Sequence, residues 1–126
     1  MARHQIQVQR VYQEPTPGDG RRVLVDRLWP RGFSSAAAPW ESWAKALAPS
    51  TELRRWYGHE PSRYSEFRAR YRRELGHPEA RAAVEELLDW ARRGPLTVVT
   101  ATKEVELSAA RVLAEHVNSL LGQGRG

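Results

Sequence analysis

The sequence predicts a single α/β domain, a small three- or four-stranded parallel or mixed sheet flanked by helices on both faces. Two short apolar runs, Val23 to Leu28 and Leu96 to Ala101, are closed by turn formers and read as buried strands. Stretches with apolar residues at three- and four-residue spacing lie between them, as expected for strands joined by helical crossovers. A chain of 126 residues has room for only one core, which would bury roughly two-thirds of the unfolded surface. The domain therefore spans residues 1–126, with the Gly-rich end from Gly122 to Gly126 expected to fray.

The elements follow in order. Ile6 to Tyr12 alternates apolar with polar, the pattern of a strand with one wet face at or near a sheet edge. Its direction is open, parallel or antiparallel to the next strand. Thr16 and Pro17 suit the cap and first position of a single helical turn within a segment dense in Pro and Gly. Val23 to Leu28 should then be the central strand. Residues 33–39 are small and without periodicity, a loop. Trp40, Trp43 and Leu47 sit at helical spacing, which predicts a short helix before Pro49. Ser50 caps another, carrying Leu53, Trp56 and Tyr57 inward until Gly58 ends it. Ser62 to Leu75 is amphipathic, with Tyr64, Phe67, Tyr71 and Leu75 on one stripe. His77 and Pro78 mark a stop and restart, and Ala80, Val84, Leu87, Leu88 and Ala91 form the stripe of the next helix. After the strand at Leu96, Thr102-Lys103 turns the chain into a final helix, buried through Val105, Ala109, Val112, Leu113, Val117 and Leu120.

Composition narrows the function classes. Hydrophobic content of 40% with 28% charged residues describes an ordinary globular domain. The absence of cysteine excludes disulfides, thiolate metal sites and cysteine nucleophiles. No apolar run could span a bilayer, and Met1 to His4 lacks the apolar segment of a secretion leader, so the chain reads as cytoplasmic and without a membrane partner. The net charge of +5 comes mostly from Arg. Codon bias in a GC-rich genome would produce it, and so would selection for phosphate-bearing partners.

Chemistry concentrates where the first apolar run breaks into Asp26, Arg27, Trp29 and Arg31. If the two buried strands are parallel, their carboxyl ends open on one edge, where α/β sheets bind ligands. That would place these side chains beside Thr100, Thr102 and Lys103. A final helix starting there would add N–H groups and its dipole, a geometry suited to an anion such as phosphate or a nucleotide. Asp26 and the turn residue His59 are the acid and base candidates for an enzyme on a phosphorylated small molecule.

Two other readings stand beside this one. Arg63, Arg68, Arg70, Arg72 and Arg73 flank the aromatic stripe of one helix and could grip nucleic acid, although Glu66 and Glu74 could equally make it a solvated face. Trp40, Trp43 and Trp56 could stack on bases or pack in the core. A protein-interaction domain is the third reading, with the strand at Ile6 to Val11 supporting self-association, so monomer and homodimer are both open. His4, His59, His77 and His116 show no metal-ligand spacing. Nothing in the sequence asks for a cofactor, and no phosphate loop, nucleophile elbow or metalloprotease helix is present.

Three blocks also carry a resemblance. Val-Leu-Val-Asp-Arg-Leu-Trp-Pro-Arg-Gly at Val23 to Gly32, Leu-Ala-Pro-Ser-Thr-Glu-Leu-Arg at Leu47 to Arg54, and Trp-Tyr-Gly-His at Trp56 to His59 resemble the YeaO-like proteins, a bacterial domain-of-unknown-function family. The resemblance runs from about Arg10 to the last helix. It implies a small cytosolic α/β domain without an established activity. Members of that family often carry Asn and His after the Lys of the last strand-to-helix turn; the corresponding positions here are Ser108 and Ala109.

Overall fold

The computed structural model describes residues 6–123. The expected fraying of the Gly-rich end falls mostly outside them, as do Met1 to His4. Four parallel strands, β1 (Gln7–Arg10), β2 (Arg21–Leu24), β3 (Ser42–Trp43) and β4 (Leu96–Thr100), form one sheet in the order β1-β4-β2-β3. The α/β class is thus as predicted, and the direction of the first strand is settled as parallel. β4 is buried along its whole length, which is why it reads as a continuous apolar run rather than an alternating one. Val23 pairs with Val98 and Leu24 with Val99, placing β2 and β4 at the centre. β1 takes an edge, as its alternation implied.

Both faces of the sheet are covered, but the α-helices lie on one of them and not, as expected, on both. The helices α1 (Thr51–Tyr57), α2 (Tyr64–Glu74), α3 (Pro78–Arg93) and α4 (Ala109–Gln123) all pack on the face that presents Val23, Val25, Leu96 and Val98. Their stripes, including Leu53, Phe67, Tyr71, Val84, Leu87 and Leu113, form the main core. The opposite face carries a smaller cluster of Val11, Leu24, Val99 and Trp40, roofed by Trp29 and Phe33 from the loop after β2. A 3-10 turn at Pro17–Asp19 completes that side, capped by Thr16 as its sequence suggested.

This turn holds a buried polar knot. Arg22 donates to Asp19 Oδ2 at 2.8 Å, to Gln9 at 2.7 Å and to the Pro39 carbonyl at 2.7 Å. Burial alone would raise the Asp19 carboxyl, but hydrogen bonds from the Thr16 backbone, Gln9, the Thr16 hydroxyl and Arg22 together hold it below its usual value.

Local start and stop signals behave as the sequence implied. The Ser50 hydroxyl accepts from the Leu53 N–H at 3.1 Å, left-handed Gly58 ends α1, and Pro78 opens α3. Three expectations need correction. The strand expected at Val23 to Leu28 begins and ends earlier, at Arg21–Leu24, although the Val25 N–H still reaches the Val99 carbonyl at 3.2 Å. Trp40, Trp43 and Leu47 do not share a helix: Trp40 is in the second cluster, Trp43 on β3, and Leu47 in a 3-10 turn against the main core. The open edge of β2 explains this, because the Glu41 and Ala44 N–H groups satisfy the Arg22 and Leu24 carbonyls, which a local helix would leave unpaired. Finally, the last helix does not begin at Lys103. The chain first makes a 3-10 turn at Val105–Leu107, and Ser108, whose hydroxyl accepts the Arg111 N–H at 3.2 Å, caps α4.

Candidate functional site

Strands that end together leave a depression beyond their carboxyl ends unless something fills it. Beyond β2 and β4 there is a cavity of about 670 Å³. Its wall includes Asp26, Arg27, Trp29 and Arg31 from the β2 side, Thr100 and Thr102 from the β4 side, and His59 from the turn after α1. Seven of the eight residues expected at the site therefore meet there. Lys103 does not line the cavity and is exposed.

Asp26 ties the two strand ends together. Its Oδ1 accepts the Thr100 hydroxyl at 2.7 Å and its Oδ2 accepts the Ala101 backbone N–H at 2.8 Å. Its carbonyl accepts the Trp43 indole N–H at 2.7 Å, fixing the backbone where β2 gives way to the loop. Burial raises the Asp26 carboxyl above the usual carboxylate range; the hydrogen bonds from Ala101 and Thr100 and the charge of Arg54 only partly oppose this. Thr100 also accepts from the Thr102 N–H at 3.1 Å, so the turn after β4 is organised around the same carboxylate.

The cations tell the opposite story. Arg27, Arg31, Arg54 and Arg55 all line the cavity, and among the described residues none has a carboxylate within 4.0 Å. Arg27 is the sharpest case. It is partly buried, its terminal nitrogen makes one long contact of 3.3 Å to the Pro49 carbonyl, and its Nε is buried with no partner. It also faces a second cavity of about 330 Å³, where Glu74 is occupied by the Ser50 N–H and hydroxyl.

Aromatic side chains complete the wall. Trp29 packs edge-on to Trp40 and Trp43, at 4.9 and 5.3 Å between ring centres, and donates its indole N–H to the Phe33 carbonyl at 2.7 Å. The Tyr12 hydroxyl donates to the Arg31 carbonyl at 3.2 Å. Tyr57 donates to the Leu107 carbonyl at 2.6 Å and lies 5.9 Å from the His59 ring. His59 itself has φ of 58°, the only non-glycine with positive φ among the described residues.

Arg54 and Arg55 were not singled out from the sequence. On a helix whose inward residues are Leu53 and Tyr57, neighbouring arginines look like a solvated face, and only the placement of α1 over the strand ends turns them toward the cavity. Their one signal was position, within and beside the block at Leu47 to Arg54.

The arginine face of α2 is arranged differently. Arg68 pairs with Glu115 at 3.1 Å and Arg70 with Glu66, while Arg63 and Arg70 lie over Trp56 at 5.4 and 4.4 Å. Arg72 is partly buried and Arg73 exposed. Arg72 also helps burial lower the pKa of half-buried His116. Trp40 is packed and Trp56 is covered by cations, so neither is a free stacking platform.

Among the described residues no group of three or more His, Asp or Glu could hold a metal ion, and no helix is long and apolar enough to cross a membrane.

An uncharacterised protein of Mycobacterium tuberculosis is 47% identical over 113 residues, covering 90% of this chain and 93% of that one, and a Mycobacterium bovis protein matches equally well. The uncharacterised protein YeaO of Escherichia coli is 40% identical over 115 residues, covering 91% of this chain and 98% of its own. No solved structure matches the chain significantly. The model of a family described as the inactive DUF488-N3 subclade matches residues 5–125. With almost the whole chain matched, this protein belongs to the YeaO-like DUF488 family, in the group described as its inactive DUF488-N3 subclade.

Proposed function

We propose that this protein binds a small phosphate-bearing molecule in the cavity beyond β2 and β4, and that it holds the molecule without transforming it. The observation that carries the reading is the set of four unpaired guanidiniums on one wall, Arg27 above all. A partly buried guanidinium whose Nε lacks a partner and whose one contact is a long bond to a carbonyl is poorly satisfied, and a phosphate offers the paired oxygens its fork fits. The family description as inactive supports binding over turnover. So does the cavity wall at Ser108 and Ala109, where the resemblance gives Asn and His in other members. Asp26 and His59, the acid and base candidates, serve here as ligand contacts, together with Trp29, Arg31, Thr100 and Thr102. Lys103 is left out of the clamp. A cytoplasmic setting belongs to the same proposal.

The nucleic-acid reading of Arg63 to Arg73 is weaker, because Arg68 and Arg70 already spend their charge on Glu115 and Glu66. Calorimetric titration with inorganic phosphate, sulfate and adenosine monophosphate tests the proposal. Wild type should bind at least one. Arg27→Met should weaken that binding by about 1.5–3 kcal/mol, the worth of a charged hydrogen bond, and Lys103→Ala should leave it unchanged. Absence of binding by wild type, or equal binding by Arg27→Met, would reject it.

A further inference from the structure

We infer that the ligand of this cavity carries hydroxyl groups as well as a phosphate, a sugar phosphate or a nucleotide rather than a bare oxyanion, and that Asp26 determines this specificity by accepting those hydroxyls. The inference rests on the anion-binding reading above and narrows it.

Size is the first argument. A cavity of about 670 Å³ lies in the range that encloses whole metabolites, roughly 300–1,000 Å³, and an inorganic phosphate would leave most of it to water.

The second is the company Asp26 keeps. Among the described residues it is the only acidic one on a wall that carries four arginines. Each of its oxygens accepts one hydrogen bond from the protein, from Thr100 and from Ala101. A carboxylate offers about four acceptor positions, so about two are left. Among the described residues no Lys or Arg nitrogen lies within 4.0 Å to take them. A bare anion entering this cavity would meet the guanidiniums favourably and Asp26 unfavourably. A ligand whose own hydroxyls reach Asp26 turns that repulsion into hydrogen bonds, while its phosphate goes to the arginines. The same chemistry lets an acidic residue hold ribose hydroxyls in dinucleotide-binding folds.

The third is rigidity. Asp26 is fixed by both strand ends and by the Trp43 contact to its own carbonyl, so its open acceptor positions are set before any ligand arrives.

Titration of the wild-type protein with propyl phosphate, ribose 5-phosphate and adenosine monophosphate isolates the hydroxyls, since propyl phosphate is a phosphate monoester without them. Ribose 5-phosphate should bind at least about ten-fold more tightly than propyl phosphate, and Asp26→Asn should erase most of that advantage. Tighter binding of adenosine monophosphate than of ribose 5-phosphate would identify the nucleotide as the source of the hydroxyls; the reverse would identify the free sugar phosphate. Equal affinity of wild type for ribose 5-phosphate and propyl phosphate would overturn the role of the hydroxyls while leaving the anion site standing. An advantage that survives in a folded Asp26→Asn protein would overturn the role of Asp26. If none of the three compounds binds, the anion site itself has failed. The wild-type comparison holds even where the variant does not fold.

Discussion

The Asp26 carboxylate, one residue past Val25 on the β2 side, accepts the backbone N–H of Ala101, the first residue beyond β4, at 2.8 Å. One side chain thus closes the ends of both central strands and stands on the cavity wall. Its protonation should be visible in stability. Because burial raises the folded-state pKa above the ordinary 3.8, the folded protein holds this proton more tightly than the unfolded chain does. The stabilising contribution is therefore fully present below the unfolded value and is lost as pH rises through the folded one. Urea unfolding of wild type and Asp26→Asn at pH 4 and pH 7 should show wild type gaining on the variant at the lower pH. A difference that is constant, or that moves the other way, would show that the carboxylate is not desolvated as described.

The buried knot on the opposite face makes a separate prediction. Arg22 and Asp19 have side chains only 3% exposed and meet at 2.8 Å. Arg22→Met would leave Asp19 in the interior without its cation and should cost about 3–5 kcal/mol of folding free energy. Chemical denaturation measures this directly, and a loss below about 1 kcal/mol would mean that water reaches the pair.

Gly20 joins the 3-10 turn to β2 with φ of 65°, and a Cβ there would lie 2.2 Å from the Pro95 carbonyl oxygen. Gly20→Ala therefore combines left-handed strain with a backbone collision that no rotamer relieves. It should destabilise by more than about 3 kcal/mol, against almost no effect for Gly18→Ala, where a Cβ would meet nothing within 4 Å. Comparable melting temperatures for the two variants would contradict this packing.

Much of this arrangement was legible in the residues. The apolar runs located the two central strands, and Thr16-Pro17, Ser50, Gly58 and Pro78 marked their turns and helices because capping depends on neighbours in the chain. The break from Val25 into Asp26, Arg27, Trp29 and Arg31 pointed to the cavity they line, because parallel strands open at a common edge. What could not be read depended on distant partners. Trp43 pairs as a strand because β2 presents an unfilled edge, overriding helical spacing. Arg54 and Arg55 line the cavity because α1 lies beside the strand ends, and Lys103 does not, because a 3-10 turn postpones α4 to Ala109. These are tertiary outcomes, invisible to periodicity.

On the proposed reading the cavity, and not the arginine face of α2, is where this protein takes an anion. Crystals of the protein soaked in tungstate, a tetrahedral oxyanion with a strong anomalous signal, would locate the preferred site without assuming a ligand. An ordered anion is expected inside the cavity within hydrogen-bonding distance of Arg27 and of Arg54 or Arg55, its occupancy abolished in Arg27→Met crystals. Tungstate ordered only along Arg63 to Arg73, or nowhere in the cavity at saturating concentration, would contradict it.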